Sequence, residues 1–152
     1  FTFLALFVAF SASAQCQHDT TKTPVTGYVS YGVSMTNTND FRTSSYTGLE
    51  GGICYSNLSL GGVLGRGSLR GLGSSSDKIN QYFYEVKATG SLPMGDLTGS
   101  VFMGYGGYFG TSHTFIEYGV GMGYTVNKFT YGVSCSNWDG ITYVTPNITF
   151  NF

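Results

Sequence analysis

The chain has 152 residues, with 7 Lys plus Arg against 8 Asp plus Glu, a net charge of −1, and only 10% charged residues in all. A soluble domain normally carries about 25%, so the surface is poor in groups that hold water, and the absence of a basic stripe excludes nucleic-acid binding. Beyond the first residues no apolar run reaches the ~20 residues that a membrane helix needs, which excludes a helical span there.

Phe1 to Phe10 (FTFLALFVAF) is an apolar export core followed by Ser-Ala-Ser-Ala, with Ala12 and Ala14 at the small-residue positions before a cleavage site. Residues 1–14 are therefore expected to be a signal peptide. Its lack of an initiator Met and of a basic segment reads as a truncated start. Residues 15–24 (QCQHDTTKTP) form a polar tail, and 25–152 are expected to form one barrel domain.

Eight segments then alternate with period two. The first, Val25 to Met35, sets Val25, Val29, Tyr31, Val33 and Met35 against Thr26, Tyr28, Ser30, Gly32 and Ser34. The second, Tyr46 to Tyr55, puts Leu49, Ile53 and Tyr55 outside and Gly48, Glu50, Gly52 and Cys54 inside. In the third, Leu58 to Leu64, the leucines face out while Ser59, Gly61 and Val63 face in. The fourth, Gln81 to Thr89, shows Tyr82, Tyr84, Val86 and Ala88 outside and Phe83, Glu85 and Lys87 inside.

The fifth alternates Val101, Met103, Tyr105 and Phe109 with Ser100, Phe102, Gly104 and Gly106. The sixth alternates Ile116, Tyr118, Val120, Met122, Tyr124 and Val126 with Glu117, Gly119, Gly121 and Gly123. The seventh sets Phe129, Tyr131, Val133 and Cys135 against Thr130, Gly132, Ser134 and Ser136. The last runs to Phe152 and offers Val144, Pro146, Ile148, Phe150 and Phe152 against Tyr143, Thr145, Asn147, Thr149 and Asn151. Pro146 lacks a ladder donor and predicts a local irregularity.

All four strand charges, Glu50, Glu85, Lys87 and Glu117, fall on the polar face. A cation at the lipid midplane costs roughly 2–4 kcal/mol, which explains the bias if the other face meets lipid. Connections alternate in length. Those after the first, third and fifth segments are long, above all Arg66 to Asn80, whereas Ser56-Asn57, Leu92 to Asp96 and Asn127-Lys128 are tight. A lipocalin-like barrel would have the opposite polarity, apolar within and polar without. The fold expected is all-β: an eight-stranded antiparallel up-and-down transmembrane barrel with short periplasmic turns and longer external loops.

With these features the chain resembles the small outer-membrane barrels of the OmpX, Ail and OmpA-transmembrane-domain type. The resemblance covers Val25 to Phe152 and rests on the export sequence, the eight alternating segments, the loop asymmetry and the aromatic Phe152. It implies residence in the outer membrane of a Gram-negative bacterium, among lipid and lipopolysaccharide. It also implies that Ile148, Phe150 and Phe152 are the strand read by the barrel-assembly machinery.

Glu50, Glu85, Lys87 and Glu117 are expected to meet as an ion-pair network in a lumen only wide enough for its own side chains. A loop arginine (Arg42, Arg66 or Arg70) is a candidate further partner. A proton or cation path is the competing reading. Ser112 and His113 beside Glu117 raise a lipid A-modifying hydrolase, but His113 falls in a loop while Glu117 points inward, and a triad is recognised by geometry. His18 belongs to the polar tail and is assigned no role. Trp138 is expected to be an interfacial anchor. Cys16, Cys54 and Cys135 read as free thiols, and no metal or cofactor is expected because the His and Cys residues lack ligand spacing.

The function expected is non-enzymatic: envelope structure or surface interaction, through the external loops or against another membrane protein. In the latter case the wall glycines Gly27, Gly51, Gly62, Gly99 and Gly107 would admit close packing. A lipid A-modifying enzyme or a minimal ion pore are the alternatives.

Overall fold

Sustained alternation of side chains makes one continuous sheet that rolls up on itself, because one face is apolar along every strand and the other is small and polar. The structure, a computed structural model, describes residues 25–36, 45–70, 78–138 and 140–152, without the side chains of 68–70 and 78–80. The strands are β1 (Val25–Ser34), β2 (Tyr46–Tyr55), β3 (Leu58–Arg70), β4 (Lys78–Met94), β5 (Leu97–Tyr108), β6 (Thr114–Val126), β7 (Phe129–Trp138) and β8 (Ile141–Asn151). They close in sequence order, β8 pairing with β1, and every pair is antiparallel. No helix occurs among the described residues.

The faces divide as the alternation requires. Leu49, Ile53, Leu60, Val86, Met103 and Ile116 stand exposed on the outer wall, while Ser30, Glu50, Ser59, Glu85, Thr130 and Thr149 are buried within. A soluble barrel has the reverse arrangement.

Two strands run further than the sequence pattern predicts. Pairing between β3 and β4 continues past Leu64↔Tyr84 through Arg66↔Tyr82 to Arg70↔Lys78. Backbone ladders need no apolar side chain, so the Gly-Arg-Gly stretch stays in the sheet and the expected Arg66–Asn80 loop contracts. The expected Leu92–Asp96 turn contracts likewise to Gly95-Asp96, since β4 extends to Met94.

The β2–β3, β4–β5 and β6–β7 turns lie at one end of the barrel, opposite the equally short β7–β8 turn, and each is tied to the strand beyond. The carbonyls of Asn57, Asp96 and Lys128 accept hydrogen bonds from the amides of Ser91, Thr125 and Asn151 at 2.5, 3.0 and 2.8 Å. The first residue of each turn takes a left-handed φ: Ser56 (54°), Gly95 (73°) and Asn127 (57°). Gly does so without strain and Asn with little.

Pro146 interrupts the closing seam. Phe152 exchanges both backbone hydrogen bonds with Gly27 (2.9 Å each), and Val144 both with Met35 (2.9 and 2.8 Å). In an antiparallel pair, residues two apart turn their amides to the same neighbour. Pro146 therefore presents its donorless nitrogen to β1. The β1–β8 ladder accordingly stops at Gly32↔Asn147 and resumes only as the bridge Met35↔Val144.

Candidate functional site

The lumen holds three layers stacked along the barrel axis. The middle one is built from the strand charges. Because β2, β4 and β6 alternate around the wall, their inward side chains converge on the axis. Lys87 of β4 lies with its Nζ 3.7 Å from Glu50 Oε2, 3.8 Å from Glu85 Oε2 and 3.3 Å from Glu117 Oε2. Its ammonium also stands 4.9 Å from the centroid of the Phe102 ring. All three carboxylates are buried, at 7, 3 and 2% exposure for Glu50, Glu85 and Glu117.

Phenols supply additional donors. The Tyr28 hydroxyl donates to Glu50 Oε1 at 2.6 Å and the Tyr46 hydroxyl to Glu117 Oε1 at 3.2 Å. Glu85 Oε1 has no hydrogen-bond partner among the described residues. One ammonium shared among three carboxylates gives the site an acidic excess, and burial makes each of these contacts matter to stability.

Towards the loop end the lumen is filled by aromatic rings. Trp138 packs 4.3 Å from Phe115, 4.7 Å from Tyr46 and 4.8 Å from Phe83 between centroids, and Tyr143 and Tyr108 complete the layer. Towards the turn end the layer is hydroxylic. Thr149 Oγ1 donates to Ser30 Oγ at 2.8 Å and Asn151 Nδ2 to Thr130 Oγ1 at 3.3 Å, whereas the 2.6 Å contact between Ser34 Oγ and Thr145 Oγ1 lies at the loop end, where Ser34 pairs with Tyr46. Beside the charge cluster a cavity of ≈ 80 Å³ is bounded by Ser30, Glu50, Lys87, Ser100, Glu117 and Asn147. Val63, Phe102, Met122 and Val133 give it a lining of mixed polarity, and its size suits a few water molecules held by the polar groups.

The structure thus brings Glu50, Glu85, Lys87 and Glu117 together and leaves Arg66 out. Arg66 is exposed on the outer wall, with its guanidinium carbon 5.9 Å from the Tyr82 ring centroid. It shares the outward parity of Leu64 and so cannot compensate the lumen charges. Arg42, His18, Cys16 and the Arg70 side chain lie outside the described residues, as do residues 37–44 and 71–77 of the two long connections.

Trp138 is not an interfacial anchor. It is 5% exposed and sits in the aromatic layer, because β7 continues inward–outward alternation from Ser136 to Trp138. Cys54 is not a free thiol either. It is buried in the lumen and disulfide-bonded, with its partner outside the described residues. Cys135 is free and exposed on the outer wall.

His113 lies at the loop end, its ring stacked on Tyr108 with centroids 5.6 Å apart. Glu117 is committed to Lys87 and Tyr46 inside, so the two groups face different surroundings. Among the described residues no group of His, Cys, Asp and Glu is placed to hold a metal ion.

Ile148, Phe150 and Phe152 stand on the outer face of β8 and just beyond it. Phe150 packs against Phe129 at 5.2 Å and Phe152 at 6.2 Å.

Sequence reasoning missed the aromatic layer as a unit. The signal was present: Tyr46 and Tyr108 already share the inward parity of Gly48 and Gly106 within their segments, and extending the sixth and seventh segments gives Phe115 and Trp138 the inward parity of Glu117 and Ser136. Fold and site together define a closed up-and-down β-barrel with a filled, charged lumen and an apolar outer wall. No family model matches the chain, and no curated protein matches it.

Proposed function

We propose that this protein is a non-enzymatic outer-membrane barrel, exported by its leader. It spans the lipid as a side-chain-filled cylinder and acts in envelope structure or surface interaction through its loop end. The observation that carries this reading is the inverted polarity, with apolar residues around the whole outer wall and a charge cluster within. Water cannot solvate such a wall, whereas lipid can. The β2–β3, β4–β5 and β6–β7 turns then face the periplasm and the long connections face outward, against lipopolysaccharide. The outer residues of β8, Ile148, Phe150 and Phe152, serve the assembly machinery.

The aromatic layer disfavours a pore, and the separation of His113 from Glu117 disfavours a hydrolase built on that pair. Membrane fractionation combined with planar-bilayer recording tests the proposal. Recovery with the outer membrane and no conductance steps is the expected result. Recovery in the soluble fraction overturns it.

A second reading, contact with another membrane protein through the wall, is favoured by one feature. The wall carries an apolar concavity of ≈ 890 Å³ across β2 to β6, floored by Ala88 and Gly90 between Leu58, Leu60, Met103 and Val120. Extraction in mild detergent, with the protein tagged in a long connection, separates the two. A stoichiometric companion supports the wall, and a lone monomer supports the loops.

A further inference from the structure

The closing seam poses a problem of register that alternation alone leaves open. A slip of one residue between β1 and β8 would turn the apolar wall inward and is strongly opposed. A slip of two keeps every side chain on its proper face. The seam also has the least continuous ladder, being broken at Pro146.

Gly27 distinguishes the native register from these slips. A Cβ on Gly27 would lie 2.5 Å from Cε2 and 2.8 Å from Cζ of Phe152, so the phenyl ring rests on the bare Cα. Gly51 and Gly62, on the same wall, meet nothing nearer than 3.9 Å. Backbone hydrogen bonds of 2.9 Å run both ways between Gly27 and Phe152. The other outward positions of β1 are Val25, Val29, Tyr31 and Val33. A two-residue slip would set the Phe152 ring against Val25 or Val29, where a branched side chain occupies the seat. Covering a strand glycine with a cross-strand aromatic is a known way to pin register.

We propose that Gly27 and Phe152 form the register lock of barrel closure: the ring of Phe152 fits only the one outward position of β1 that lacks a side chain. The lock acts within the chain and does not depend on where the barrel resides. It also removes Gly27 from the wall positions open to a partner's backbone.

The test is disulfide trapping during refolding of the full chain into detergent micelles, in a background with the native cysteines replaced (Cys16→Ser, Cys54→Ser and Cys135→Ser). Tyr31→Cys with Ile148→Cys reports the native register Tyr31↔Ile148. Tyr31→Cys with Phe150→Cys reports a two-residue slip. Gly27→Val is expected to lower the native cross-link about tenfold or more, consistent with the usual penalty for overfilling a packed contact. It should also raise the slipped one. The exchanged pair, Gly27→Phe with Phe152→Gly, keeps ring and seat with the strands reversed and is expected to recover the native cross-link. Undiminished native cross-linking in Gly27→Val overturns the lock. So does an exchanged pair that closes no better than Gly27→Val, whether or not the single variant folds.

Discussion

The indole of Trp138 and the ring of Phe115 lie 4.3 Å apart between centroids, joining β6 to β7 inside the lumen at the loop end. The rings of Phe83, Tyr108, Tyr143 and Tyr46 surround this pair, with Val63 and Ile141 beside them, so the loop end of the barrel has an apolar core of its own. Trp138→Ala is expected to cost about 3–5 kcal/mol, the usual penalty for emptying a large aromatic site. Urea unfolding in micelles measures it. The same variant is the one expected to admit ions in planar bilayers, if any single substitution does. A loss below about 1 kcal/mol would mean that the layer carries little of the fold's stability.

Lys87 is the only cation among the three buried carboxylates described here. Lys87→Met removes the charge while keeping most of the stem, and is expected to destabilise by about 3–5 kcal/mol, because it strands uncompensated buried charge. Adding Glu117→Gln to Lys87→Met should recover part of that loss. Two effects that simply add would show that Lys87 and Glu117 are not coupled.

Two glycines, one inside and one outside, make a controlled comparison. A Cβ at Gly104 would run into the Glu85 carboxylate, whereas a Cβ at Gly62 meets nothing within 4 Å. Gly104→Ala is expected to cost about 1–3 kcal/mol, and Gly62→Ala to stay within about 0.5 kcal/mol of the parent. Equal thermal midpoints for the two variants would contradict the packing described around Glu85.

The outer wall can be tested directly in lipid. Val86 is exposed at mid-strand, paired with Gly62 and Tyr105. Val86→Arg is expected to cost about 2–4 kcal/mol in reversible unfolding from bilayers, the penalty for a cation near the midplane. A change within about 0.5 kcal/mol, as for a water-facing position, would falsify lipid contact there.

The alternation that made the strands legible is a one-dimensional code, and it located the inward faces, the closed order and the four lumen charges. It was weaker where the chain stops obeying hydropathy. Gly65-Arg66-Gly67 carries no apolar signal, yet the backbone pairs on to Arg70. Trp138 looked like an anchor because a tryptophan beside a turn suits an interface. Its parity pointed inward, and packing against Phe115 and Tyr46 decided the matter. The Tyr28–Glu50 hydrogen bond and the seat of Phe152 on Gly27 depend on which strands become neighbours and in what register. Nothing local in the sequence encodes either. Cys54 shows the same limit, since the count of three cysteines does not say which of them is bonded.

The Lys87 cluster draws its members from β2, β4 and β6, and no two of these strands are adjacent. Its contacts across the lumen therefore do not exist in a flat or half-rolled sheet, where Lys87 could reach only Glu85 on its own strand. Their stabilisation arrives once curvature brings β2 and β6 face to face. Interactions that form so late slow the breakdown of a finished structure more than they hasten its formation. The charge cluster acts as a keystone: it contributes little while the ring is being built and then makes the completed ring slow to open.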